Sequence, residues 1–149
     1  MAAWVNFLRA HSAVTRALNA DLVQTHGLTI NDYEVLLLLA RAEERALRRV
    51  DLAESLVLTA SGITRLLEGL ERAGYVAKRR CESDARVTYA VLTDTGLEKL
   101  REASDIHVAG VRSLFEDRFT EDEVEQLGEL LARLTADGDV GGDCSPPED

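Results

Sequence analysis

Ser61, Thr64 and Arg65 stand among Ile63, Leu66, Leu67 and Leu70, apolar residues that recur at helical spacing. At about 100° per residue the apolar side chains form one stripe. Ser61, Arg65, Glu68 and Arg72 then lie opposite it, with Thr64 on the flank. Hydroxyls and a guanidinium on an exposed helix tip are donors suited to phosphate oxygens and base edges, and arginine can bond guanine O6 and N7 together. Thr59 has the type and place of an N-cap. Ala60, Ser61 and Gly62 keep the first turn slim, so the tip fits a major groove with its free amides toward phosphate. Further along, Arg79, Arg80 and Arg86 surround the polar loop from Cys81 to Arg86. Arginine at a hairpin tip suits the negative potential of a minor groove. Asp84, two residues before Arg86, is placed to orient its guanidinium.

These side chains need a frame, and residues 48–93 supply one. A short helix, a turn and the reading helix are followed by two β-prone runs, Tyr75 to Arg80 and Val87 to Thr93. In the second run Val87, Tyr89 and Val91 alternate with Thr88, Ala90 and Leu92, the period-two pattern of a strand. That order is the signature of a winged helix-turn-helix.

Apolar helices flank it on both sides. Trp4, Phe7, Leu8, His11, Val14, Leu18 and Leu22 mark a long first helix, and Glu34 to Ala40 a central one that is apolar nearly all round. Leu97, Leu100, His107, Val111, Leu114 and Phe115 mark another long helix after the hairpin. Thr120 and Glu123 form a capping box that opens a last helix. The expected fold class is mainly α with a small β-hairpin wing, an α+β winged helix-turn-helix with N- and C-terminal dimerisation helices at residues 3–26 and 95–135. A single winged unit does not use so many apolar helices, which points to a homodimer. Two-fold symmetry would set two reading helices about 34–36 Å apart, one turn of DNA.

The chain has 149 residues and a formal net charge of −10. It is long enough for one domain with its own core, expected over residues 1–135. Acid is concentrated away from the reader: residues 61–93 carry +2, whereas residues 94–149 carry −11. Local field decides docking more than total charge does, so duplex DNA is not excluded. The acidic stretch 136–149, with both prolines, is expected to be a disordered tail. No apolar run reaches membrane-spanning length and no signal-peptide layout opens the chain, so a cytoplasmic location without membrane association is expected.

The motifs GLTINDYEVLLLLA (27–40), DLAESLVLTASGITRLLEGLERAGYV (51–76), the Asp84 and Arg86 pair, and LTDTG (92–96) resemble the multiple-antibiotic-resistance regulator (MarR) family of bacterial transcription factors. The resemblance extends over about residues 3–135. It implies an obligate homodimer whose terminal helices interlock, and repression by promoter occupancy that a small aromatic ligand or oxidation often relieves. It places Ser61, Thr64 and Arg65 on the recognition helix and makes Arg86 the wing arginine. One departure is Val57 with Leu58 in the interhelical turn, where many helix-turn-helix proteins carry glycine.

By the same resemblance, an effector cavity is expected between the first, second and post-wing helices, with Trp4, Phe7, His11, Tyr33 and Phe115 as candidate liners. His11, His26 and His107 show no ligand-like spacing, so no metal or cofactor is implied. His11 and His107 are expected as core or interface histidines. Cys81 and Cys144 suggest no disulfide framework, and Cys81 is expected to be an inert thiol. No phosphate-binding glycine loop, catalytic carboxylate pair or serine–histidine arrangement is present, which argues against an enzyme. The alternative reading is a winged helix that serves as a protein-interaction or dimerisation adaptor without DNA binding.

Overall fold

The computed structural model describes residues 1–81 and 86–134. Helix α1 (Ala2–His26) ends where Gly27 turns left-handed, at φ 66°, and donates its amide to the Val23 carbonyl at 3.0 Å. Glycine makes that turn without a Cβ clash. Helix α2 (Ile30–Arg41) starts four residues before the expected Glu34. A capping box sets the start: Thr29 Oγ1 accepts from the Asp32 amide at 3.1 Å, and Asp32 accepts from the Thr29 amide at 2.8 Å. The aspartate at the third position stands in for the usual glutamate. Tyr33, Val35, Leu36, Leu37 and Leu39 of α2 are buried, which makes this helix the centre of the core.

The winged unit follows. Strand β1 (Ala46–Arg48) leads into α3 (Arg49–Ser55), then α4 (Ala60–Arg72), β2 (Val76–Arg80) and β3 (Thr88–Leu92). The expected hairpin is therefore part of a three-stranded antiparallel sheet in the order β1–β3–β2. Three residues are too few to show an alternating pattern, so β1 leaves no mark in the sequence. Leu52, Ile63, Leu67, Leu70, Val76, Ala90 and Leu92 bury this unit against α2.

The last two helices are α5 (Asp94–Glu116) and α6 (Glu121–Ala132). The Thr120–Glu123 capping box is formed, which fixes the start of α6. Helix α5 lies along α1 and α2 and buries Leu97, Leu100, Ala103, Ser104 and His107. By contrast α6 has no buried residue, and Leu130, Leu131 and Leu134 are exposed. Trp4, Val5, Phe7 and Leu8 of α1 are exposed too. His11, expected in a core or an interface, is exposed in the single chain, whereas His107 is buried.

Gly69 lies inside α4, and close helix packing would have been one reason for it. The structure removes that reason, since a Cβ built there meets nothing within 4 Å. Glycine in a helix interior costs about 1 kcal/mol relative to alanine. Gly69→Ala should therefore raise the unfolding free energy by about that amount in chemical denaturation.

Candidate nucleic-acid interface

Helix α4 buries Ile63, Leu67 and Leu70 and turns Ser61, Arg65, Glu68 and Arg72 outward. Thr59 caps it, with Oγ1 accepting from the Gly62 amide at 3.1 Å and lying 3.2 Å from Ser61 Oγ. Thr64 donates its hydroxyl proton to the Ala60 carbonyl at 2.7 Å, so its oxygen faces outward chiefly as an acceptor. No acidic residue occupies the first turn. The helix end thus keeps its positive dipole for an approaching anion.

The sheet register sorts the basic residues of the hairpin into two sets. Val76 pairs with Leu92, Lys78 with Ala90 and Arg80 with Thr88. Directly opposed residues share a face. This is the face toward α4, since Lys78 reaches Glu71 of that helix at 2.9 Å and Ala90 is buried. Arg79 pairs with Tyr89, and Tyr89 with Arg48, so these three lie on the other face. There Arg79 sits 5.6 Å from the Tyr89 ring centre and bonds Glu44 at 3.1 Å. Arg48 grips Asp51 through two bonds of 2.7 and 2.6 Å. The sequence groups Arg79, Arg80 and Arg86 around the wing loop; the register puts Arg80 on the face toward α4 and Arg79 on the opposite face.

Arg86 is exposed at the far end of the hairpin. Asp84 lies outside the described residues. Arg49, exposed at the start of α3, borders the crevice between Thr64 and Lys78 and extends the basic surface.

The candidate effector residues are spread over the chain. Tyr33 is 1% exposed, and its hydroxyl lies 3.0 Å from Ser104 Oγ, which donates to the Leu100 carbonyl at 2.7 Å. The His107 ring stands 4.4 Å from the Tyr33 ring. Trp4 and Phe7 lie on the open face of α1, 6.5 Å apart, and Phe115 packs at 6.2 Å against Phe119. Burial raises the pKa of the Glu34 carboxyl on α2, a rise that the neighbouring His11 opposes. An open groove of about 640 Å³ runs along α5, lined by Arg101, Ser104, Asp105, Val108 and Arg112 among others, and by none of the five candidates. Among the described residues no three His, Cys, Asp or Glu side chains gather as a metal ion would require.

His107 has a buried Nδ1 without a hydrogen-bond partner, and burial lowers its pKa. The unfolded chain takes up this proton near pH ~6.5. The unfolded state then binds more protons, so stability falls as pH drops below that value and is level above it. Urea denaturation between about pH 5 and 7 should show this slope. It should be shallower in His107→Phe, which keeps a ring against Tyr33.

Comparison with known proteins agrees with this geometry. A model of the MarR family matches residues 26–87. The HTH-type transcriptional repressor YetL of Bacillus subtilis (strain 168) is 31% identical over 112 residues, 73% of this chain and 67% of that protein. AbsC, a MarR family transcriptional regulator from Streptomyces coelicolor, superposes with a TM-score of 0.81 at 35% identity, over 91% of each chain. Sco3205, from the same family and organism and solved in complex with DNA, gives 0.82 at 32% identity, over 97% of this chain and 92% of that one. Among the described residues no helix is long and apolar enough to cross a membrane. With its winged helix between long flanking helices, and with relatives that are regulators rather than enzymes, the chain belongs to the MarR family of transcriptional regulators.

Proposed function

We propose that this regulator binds duplex DNA as a homodimer and represses transcription from a pseudo-palindromic operator in the cytoplasm, with a small aromatic ligand releasing it. The observation that carries the DNA reading is the exposed tip of α4. Ser61 and Arg65 face outward there, with no acid in the first turn and Arg80 on the neighbouring face of the wing. Thr59 sets the tip and Thr64 adds an acceptor at its flank. Arg86 enters the minor groove, with Asp84 orienting it. Arg79 braces the wing from behind through Glu44 and Tyr89 instead of touching DNA.

Dimerisation is supported by the apolar residues that one chain leaves in water: Trp4, Phe7 and Leu8 of α1, and Leu130, Leu131 and Leu134 toward the C-terminus. Each fully buried large apolar side chain contributes about 1.5–3 kcal/mol, so a second copy covering both sets accounts for their composition. The regulator domain is residues 1–135, with dimer helices within 3–26 and 95–135, the DNA-binding unit at 48–93 and an acidic tail at 136–149. Ligand release follows from the family resemblance, with Trp4, Phe7, His11, Tyr33 and Phe115 as the candidate contacts. An adaptor without DNA affinity would have little use for exposed Arg65, Arg80 and Arg86 around one tip.

A mobility-shift titration on the duplex upstream of the protein's own gene tests this reading. Affinity should fall steeply with salt as bound phosphates release their counterions. Arg80→Ala should lower the salt slope by about 1 for each phosphate that is no longer neutralised, and Arg79→Ala should leave it unchanged. A flat salt response, or equal losses in the two variants, would contradict the assignment.

A further inference from the structure

Val57 forms the turn between α3 and α4 with a φ of 53°. A β-branched side chain is crowded by its own backbone in this left-handed region, a strain that glycine does not carry. Two other described residues without glycine's freedom adopt positive φ, Glu44 and Arg45, and each holds an ion pair, with Arg79 at 3.1 Å and Asp94 at 3.2 Å. At Val57 the turn is closed by its amide donating to the Glu54 carbonyl at 3.2 Å and the Leu58 amide to the Ala53 carbonyl at 2.9 Å. Glycine would make these bonds equally well, so the valine side chain, 92% exposed, adds nothing against its own strain. A strained backbone under an apolar group left in water is the reverse of what stability alone would select.

Its place in the fold gives the reason. Val57 precedes the α4 cap, Thr59, by two residues, and successive Cα atoms are about 3.8 Å apart. Its Cα therefore lies within roughly 8 Å of the Thr59 Cα, beside the tip that carries Ser61. We propose that Val57 is a DNA-contacting residue whose isopropyl group packs on the apolar surface of the duplex, a thymine methyl or a deoxyribose ring, beside the tip of α4. The proposal rests on the DNA-binding reading above. On binding, the two methyl groups leave water, which offsets in the complex the extra strain that valine carries over glycine in this turn.

Two variants of the full chain separate the methyl groups from the backbone. Val57→Gly removes both strain and methyls, whereas Val57→Thr keeps the branching and replaces one methyl by a hydroxyl. Operator affinity is measured on a duplex selected by the wild-type protein, and stability by denaturation. Val57→Gly should unfold at higher denaturant than wild type yet bind about tenfold more weakly. Val57→Thr should keep wild-type stability and bind about threefold more weakly. Repeating the titration on an operator with uracil in place of thymine identifies the surface. A wild-type loss that Val57→Gly does not share marks the thymine methyl; no wild-type loss marks the sugar. The proposal is overturned if Val57→Gly gains no stability, if both variants bind like wild type, or if only Val57→Gly binds weakly, which would mean a loosened turn. A wild-type protein that binds no duplex overturns the DNA-binding reading as well, whereas wild-type binding with unaffected variants overturns this inference alone.

Discussion

Gly96→Ala is expected to destabilise the protein by on the order of 3 kcal/mol, because overpacking against backbone cannot relax as it does against a flexible side chain. A Cβ at Gly96 would fall on the Tyr75 carbonyl and would come within 2.8 Å of Leu92 Cδ1. The Tyr75 carbonyl cannot give way freely, since it accepts from the Thr93 amide at 3.1 Å. Thr93 is fixed in turn, its hydroxyl lying 2.7 Å from the Gly74 carbonyl and accepting from the Gly96 amide at 3.0 Å. This knot joins the turn between α4 and β2, the residue that follows β3 and the first turn of α5. It is the physical content of the LTDTG motif: the winged unit meets the long α5 helix through one backbone-to-backbone approach that excludes a side chain. Denaturation of the variant checks it, and wild-type stability would show that the junction yields. Gly69→Ala, the same change where space is open, should move stability the opposite way.

The second large effect is at Arg65. Under the proposed function, Arg65→Ala should weaken operator binding by about 1–3 kcal/mol per half-site if each guanidinium reads a base. It should also relax discrimination at the base pair it reads, which titration against single-base operator variants measures. A uniform loss on every sequence would make Arg65 a phosphate clamp. The side chain is exposed on the outer face of a helix whose inner face is buried by Ile63, Leu67 and Leu70. Its removal should therefore leave folding nearly unchanged, so weaker binding can be read as the absence of the guanidinium from the duplex.

The parts legible in the sequence are those governed by local rules. Helical periodicity gave α4 its inner and outer faces, hydroxyl chemistry gave the Thr59 and Thr120 caps, and alternation gave β3. What was not legible depends on partners distant in the chain. Strand β1 exists because Leu47 and Arg48 find Ala90 and Tyr89 more than 40 residues away. Arg79 is grouped with Arg80 in the sequence, although neighbours in a strand face opposite sides. That parity was available from the sequence; Glu44 as its partner was not. His11 follows the apolar stripe of α1 but in one chain meets water, since the helix extends past the core that would cover it. The close approach of Gly96 to Tyr75 was likewise hidden, because LTDTG shows a cap and a helix start but not the carbonyl packed against them.

In the proposed function, two copies of the α4 tip and wing address one duplex from a fixed two-fold frame. Selection of binding sites from a randomised duplex pool by the full-length protein tests this most directly. The predicted result is enrichment of an inverted repeat whose half-site centres lie about one helical turn, 10–10.5 base pairs, apart. Enrichment of a single asymmetric half-site, or of no sequence above the starting pool, would contradict it.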